Sequence, residues 1–258
     1  MNRNIIQLGL DVGSTTVKIV AIKDQHLIYS QYSRHYSDIR KTVSKMLTAA
    51  YHQLKDGEIT ISATGSGGLS VSTWLGIPFI QEVAACTKAV KAYIPETHVA
   101  IELGGEDAKI TYFEDGSIDQ RMNGTCAGGT GAFIDQMASL LETDASGLND
   151  LAKDYTELYP IAARCGVFAK TDIQPLINEG ASRENIAASI FQAVVKQTVA
   201  GLACGKPIRG NIAFLGGPLY FLSELRQQFI NTLHLEAHQV ITPEHSQLFV
   251  AMGAAIAS

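Results

Sequence analysis

Asp11 and Glu102 stand 91 positions apart in matching surroundings. Each closes an apolar run, with a glycine two residues on (Gly13, Gly104) and a lysine seven residues on (Lys18, Lys109). The stretches LDVGSTTVKIVAIKD (10–24) and IELGGEDAKITYFED (101–115) also align Ile19 with Ile110 and Asp24 with Asp115 at that offset. A glycine turn brings backbone N–H groups close to a ligand with no Cβ in the way, which makes a nest for an anion. Ser14, Thr15 and Thr16 add hydroxyl donors to the first turn, and Gly105 and Asp107 complete the second. An acid at the end of the preceding strand is placed to hold Mg²⁺, usually through water, because Mg²⁺ dehydrates reluctantly. Two facing copies would clamp the phosphates of one nucleotide. Singly, each is as well explained as a hairpin that needs glycine for positive φ; the matched pair with matched acids favours the phosphate reading.

The repeat also says what must carry these residues. Each copy reads as strand, tight turn and second strand, followed by a third apolar stretch at 26–30 and 117–120. A weaker echo, strand then glycines, occurs in ISATGSGG (61–68) and IAFLGGP (212–218). A repeat this long is no solenoid and fits two related α/β halves. Helical spacing covers 37–55 through Ile39, Val43, Met46, Leu47 and Leu54. Further helices are expected over 83–93, 132–141, 147–153, and from Glu184 to about Cys204 behind a Ser182 N-cap. Pro218 opens another through Phe229, and 243–257 forms the last. The expected division is 1–94 plus 241–258 against 95–240, with no linker between them.

Bulk properties narrow the function. Of 258 residues, 46% are hydrophobic and 17% charged, so a core can be buried and global disorder is excluded. A net charge of -5, with no basic run, argues against a nucleic-acid binder. The N-terminus enters a strand at once without a signal-peptide layout, and no apolar stretch reads as a membrane span. A cytoplasmic location is expected.

There the four cysteines are reduced thiols or metal ligands. Cys86 and Cys204, among Ala and Leu on helical stretches, read as core. Cys126 lies in NGTCAGGTGAF, a glycine-rich turn opening onto a helix, and Cys165 in ARCGVFAKTDIQP before another helical segment. Neither has a partner at CxxC spacing. Two ligands per chain become four in a twofold dimer, the number a 4Fe–4S cluster takes; zinc at the same seam and plain core packing remain open from spacing alone. His98 and His245 read as structural or surface residues.

DVGSTTVK, ELGGED and FLGGP resemble the first phosphate, second phosphate and adenosine motifs of the actin, sugar-kinase and heat-shock-protein-70 superfamily. The resemblance implies a duplicated actin-like (ribonuclease H-like) α/β ATPase fold with two sheet-containing subdomains around a nucleotide cleft. It implies ATP or ADP with Mg²⁺, Asp11 and Glu102 near the metal or attacking water, Lys18 and both turns on phosphate, and Gly216 and Gly217 near adenosine. NGTCAGGTGAFIDQMA and RCGVFAKTDIQPLINEG resemble the hallmark segments of the activators of 2-hydroxyacyl-CoA dehydratases, a group that includes ATPase subunits of benzoyl-CoA reductase. This likeness covers nearly the whole chain. It implies a homodimer bridged by one 4Fe–4S cluster on Cys126 and Cys165 of each subunit. A ferredoxin or flavodoxin would supply the electron, and a dehydratase or related iron–sulfur reductase component would receive it. Gly129, Thr130 and Gly131 would belong to the nucleotide site, and Thr130, Gly131 and Asp135 would connect it to the cluster; Thr130 is equally a helix cap and Asp135 a solvated helix face. The chain departs from the family in having Gly128 where a second alanine is usual, and TGSGG (64–68) for a TGYGR-like segment. The rival within the superfamily is a small-molecule kinase of the sugar type, which would carry no cluster. Outside enzymes, a nucleotide switch or filament would polymerise with ATP.

Overall fold

The computed structural model describes residues 5–54, 57–114, 116–123, 128–162 and 165–257. Asp115 and Cys126 therefore lie outside the described residues. The chain forms two compact units, one running to Pro95 and resuming at Leu248, the other spanning Glu96–Gln247.

The first unit is built in the order β1 (Ile5–Val12), β2 (Thr16–Lys23), β3 (His26–Arg34), α1 (Ile39–Gln53), β4 (Glu58–Thr64), α2 (Gly68–Leu75) and α3 (Glu82–Tyr93). The second continues with β5 (Val99–Leu103), β6 (Ala108–Glu114), β7 (Ser117–Met122), α4 (Gly131–Leu140), α5 (Ala145–Leu151), α6 (Gly166–Asn178), α7 (Arg183–Thr198), β8 (Ile212–Leu215), α8 (Gly217–Phe221), α9 (Ser223–Leu233) and β9 (Val240–Ile241). The last helix, α10 (Phe249–Ala255), belongs to the first unit.

The sheet orders are β3-β2-β1-β4 and β7-β6-β5-β8-β9. In both, three antiparallel strands meet a fourth that runs parallel to the first: β4 on β1, and β8 on β5. The apolar, β-branched sequences of β1 and β2 explain their near-complete burial, since such side chains pack well on a pleated surface. Leu8, Leu10, Val17 and Ile19 share a core with Val43, Met46 and Ala50 of α1. α10 approaches β1 closely enough that a Cβ on Gly9 would lie 1.9 Å from the Ala251 oxygen. The small-residue run AMGAAIA is what this contact needs, and Ser62 Oγ donates to the Ala254 carbonyl at 2.6 Å. In the second unit α7 is buried on nearly all sides against Phe133, Phe214 and Phe229. Ser182 caps it, accepting from the Asn185 N–H at 3.2 Å.

Several expectations change. The helix predicted from Pro218 breaks at Leu222 into α8 and α9, and the C-terminal helix starts at Phe249 after a short 3₁₀ turn. α2 was not anticipated, because its run GLSVSTWL opens on glycine and is half apolar. α7 gives way at Val199–Ala203 to a π-helical turn that ends on Cys204, in the left-handed region at φ 47. Cys204 is exposed rather than core, its Sγ donating to the Gly201 carbonyl. Arg183–Ala203 is, at 21 residues, long and apolar enough to cross a membrane by length and composition, contrary to the reading that no stretch is. Two thirds of that window (67%) is buried inside the protein, so its apolarity is spent on the core of the second unit.

Candidate functional site

The two repeats fold to the same local geometry. Asp11 and Glu102 are each next to last in their strands, Asp11 of β1 in register with Lys18 on β2 and Glu102 of β5 with Lys109 on β6. Each turn closes alike: the Gly13 N–H donates to the Thr16 carbonyl at 2.9 Å and the Gly104 N–H to the Asp107 carbonyl at 2.8 Å. The parallel neighbour of each acid-bearing strand then ends on a left-handed glycine. Gly65 (φ +95) follows β4 and Gly216 (φ +90) follows β8. A Cβ on Gly65 would lie 2.4 Å from the Val12 oxygen, and one on Gly216 would lie 2.1 Å from the Leu103 oxygen. The residue after each acid is therefore covered by a backbone that only glycine can supply.

In the first turn Lys18 Nζ lies 2.9 Å from Asp11 Oδ2. Asp11 is 4% exposed, and its Oδ1 is buried with no hydrogen-bond partner. Thr64, paired with Asp11 across β1 and β4, likewise holds a buried Oγ1 without a partner. Buried polar atoms are rarely left unsatisfied, so two orphaned oxygens at adjoining strand ends suit a hydrated cation or a bound water. The donor set fits Mg²⁺, which prefers oxygen ligands and keeps its waters.

In the second turn Lys109 Nζ lies 3.5 Å from Glu102 Oε1 and 2.6 Å from Asp107 Oδ2. The start of α4 docks on this turn, the N–H groups of Gly131 and Ala132 donating to the Gly104 and Gly105 carbonyls at 3.0 and 2.7 Å. A Cβ on Gly131 would crowd the Gly104 oxygen at 3.2 Å and Pro218 Cγ at 3.4 Å. Thr130 is fully buried at the N-cap of α4. The fold thus gathers Gly104, Gly105, Thr130, Gly131, Gly216 and Gly217 from three separate segments of the second unit. Gly129 (φ +80) sits beside Thr198, whose Oγ1 is buried without a partner. Ser14 and Thr15 occupy the first turn.

Cys165 is half-buried at the N-cap of α6. The next residue, Gly166, packs on Gln136 of α4, where a Cβ would lie 2.4 Å from the amide oxygen. Val167 and Phe168 are exposed at 67% and 64%, an apolar pair beside the thiol. Among the described residues no three His, Cys, Asp or Glu side chains are grouped to hold a metal. Asp135 is half-buried on α4.

Sequence reasoning missed His35. Its Nδ1 accepts from the Ser37 N–H at 3.1 Å, which leaves the proton on Nε2, and Nε2 donates to the Gly13 carbonyl at 3.2 Å. Its backbone N–H donates to the Thr15 carbonyl at 3.2 Å. The hairpin register held the signal: Thr16 pairs with Arg34, so the next residue must flank the turn.

Fold and site together define the duplicated actin-like architecture. The activating ATPase of (R)-2-hydroxyglutaryl-CoA dehydratase from Acidaminococcus fermentans is 30% identical over 219 residues, 83% of this chain and 83% of that protein. The crystal structure of that dehydratase's component A superposes with a TM-score of 0.87 at 28% identity, covering 98% of this chain and 97% of the other. The activator of 2-hydroxyisocaproyl-CoA dehydratase from Clostridium difficile, solved with bound ADPNP, follows at 0.85 and 28%, covering 98% and 93%. Residues 8–258 match the sequence model of the BadF/BadG/BcrA/BcrD ATPase family, and the chain belongs to that family.

Proposed function

We propose that this chain is an ATP-dependent activator. It would hydrolyse MgATP and pass a low-potential electron from a 4Fe–4S cluster, shared by two copies of the chain, to a dehydratase or reductase partner. The observation that carries the reading is the repeated acid–glycine–lysine turn with one orphaned oxygen on buried Asp11. Asp11, with Thr64 beside it, would hold Mg²⁺ through water, and Glu102 would orient the attacking water. Backbone N–H groups and hydroxyls at 13–16 and 104–107 would bind phosphate oxygens, and Gly216 and Gly217 would lie along adenosine.

Cys165 and, outside the described residues, Cys126 would each give a thiolate to the cluster, two per subunit. When bound, such a cluster supplies one-electron transfer at a potential set by its charge and surroundings. The exposed Val167 and Phe168 beside Cys165 support a seam between two copies at this point. One physical path joins the proposed sites inside the second unit. The start of α4 is bonded to the Gly104–Gly105 turn, and one turn further on Gln136 packs against Gly166 beside Cys165. A nucleotide that binds two arrangements of this helix differently would shift their populations, and only by that difference. The donor would be a ferredoxin or flavodoxin, and the setting the cytoplasm.

Anaerobic purification with iron and sulfide analysis tests this directly. About four irons per dimer, with visible absorption that bleaches on dithionite, is the expected result. Cys126→Ala and Cys165→Ala should each lose the chromophore and still bind nucleotide. A protein that stays colourless and iron-free after anaerobic reconstitution would turn the reading to a small-molecule kinase.

A further inference from the structure

We propose that Asp172, backed by Asn185 and Ser189, is a positioning residue for the Cys165 thiol, acting through a clasp of side chains on the backbone that leads to it. Residues 155–162 form no helix or strand. Their N–H groups still need acceptors, and side chains of two helices supply them. Asn185 Oδ1 accepts from the Thr156 N–H at 2.8 Å and the Glu157 N–H at 3.1 Å. Ser189 Oγ accepts from the Tyr159 N–H at 2.7 Å and donates to the Asn185 carbonyl at 2.6 Å. Asp172 Oδ2 accepts from the Ala162 N–H at 2.8 Å.

The anchors serve this strap rather than their own helix. Asn185 and Ser189 lie one turn apart on α7 and are 6% and 0% exposed, so the strap is tied to side chains that are themselves fixed by burial. Position 185 is the third of α7 behind the Ser182 cap, where a glutamate or glutamine would reach back to the cap N–H. Asn185 instead gives its side-chain oxygen to two N–H groups of the strap. A segment held by single side chains, with no strand ladder, can be released by a single substitution.

Cys165 depends on such support. It is the N-cap of α6, but its side chain makes no cap hydrogen bond, so its backbone sets the place of the thiol. On the C-terminal side that backbone is held where Gly166 packs on Gln136 and where the Ala169 N–H donates to the Cys165 carbonyl at 3.0 Å. On the N-terminal side the hold comes from Asp172. It stands on α6, the helix that Cys165 caps, and ties to that helix the backbone three residues before the thiol. A ligand ordered in advance costs less to bind, and hydrogen-bonded outer groups fix how metal ligands are aimed. The use of the thiol rests on the cluster reading above; its placement does not.

The test is alkylation of the iron-free, full-length chain with iodoacetamide, followed cysteine by cysteine with peptide mass spectrometry. Asp172→Ala should speed labelling of Cys165 about tenfold or more, the worth of one hydrogen bond to a carboxylate. Exposed Cys204 is the internal reference, and its rate should change less than about twofold because the opening is local. Asp172→Asn keeps an acceptor oxygen and should stay within about threefold of the parent. Ser189→Ala removes an acceptor further along the strap from Cys165 and should raise the rate about threefold. An unchanged Cys165 rate in Asp172→Ala, or in Ser189→Ala should the former not fold, overturns the clasp. So do equal gains at Cys165 and Cys204, or no rescue by asparagine. After anaerobic reconstitution a chelator should strip iron fastest from Asp172→Ala, and iron held equally by all variants overturns the positioning role. A parent chain that takes up no iron would count against the cluster reading alone, since the labelling rates do not depend on it.

Discussion

At the first turn Lys18 reaches the strand acid Asp11 at 2.9 Å, whereas at the second Lys109 stands 3.5 Å from Glu102 and 2.6 Å from Asp107. The backbones are the same; the charge arrangements are not. The Asp11 side chain is 6% exposed, held at one oxygen and orphaned at the other. Glu102 is longer, shares its lysine with Asp107, and is 13% exposed. A short, buried, singly anchored carboxylate suits a fixed coordination role, and a longer, loosely held one suits a group that adjusts to its ligand. The two copies thus share one turn backbone and differ in how their acids are held.

The largest effect should come where the halves are alike. Gly65→Ala and Gly216→Ala each force a left-handed alanine and a Cβ against a backbone oxygen, at 2.4 and 2.1 Å. Strain alone costs about 1–3 kcal/mol, and the clash adds to it. Urea unfolding should show both variants severely destabilised, and a mild effect in one of them would mean the halves do not share this contact. Next come the acids. Asp11→Asn should lower MgATP turnover roughly 100-fold or more, and Glu102→Gln distinctly less, as read from steady-state phosphate release. The reverse order would exchange the roles assigned to them.

The lysines sharpen the same contrast through stability. Lys18→Met keeps the stem but leaves a buried carboxylate without its counter-charge, a change that costs about 3 kcal/mol in comparable pairs. Lys109→Met leaves Glu102 and Asp107 able to turn toward water, Asp107 being 34% exposed, and should cost nearer 1 kcal/mol. Equal losses by chemical denaturation would show that the second pair is as desolvated as the first.

Much of this was legible in the sequence because it is local. Acid, glycine and lysine at fixed spacing dictate a hairpin and its register, and the echo at 61–68 and 212–218 became the two left-handed glycines. Ser182 as a cap and the small-residue C-terminal helix follow from equally local chemistry. What escaped depends on tertiary pairing. Cys204 was read as core from its apolar neighbours, but a π-helical turn rotates it outward. The break at Leu222 carries no glycine or proline to announce it. Thr64 gains meaning only when β4 lies parallel to β1 and sets it beside Asp11.

The smallest predicted effect concerns how the two turns are braced. The second is closed by Asn123, which accepts the Ala108 N–H on its side chain at 2.6 Å and donates its own N–H to the Ala108 carbonyl at 3.1 Å. The first is braced by His35, whose ring and backbone N–H groups hold the Gly13 and Thr15 carbonyls. Only the Gly13 bond depends on the side chain; that carbonyl belongs to the peptide whose N–H would point at phosphate, so releasing it loosens the nest without touching Asp11 or Lys18. His35→Phe should therefore raise KM for ATP about threefold to tenfold, the value of one neutral hydrogen bond, with kcat little changed. His35→Gln, which restores an N–H donor, should recover part of the loss. A fall in kcat at constant KM would place His35 in the chemistry instead, and unchanged kinetics in His35→Phe would show that the Gly13–Thr16 bond holds the turn unaided.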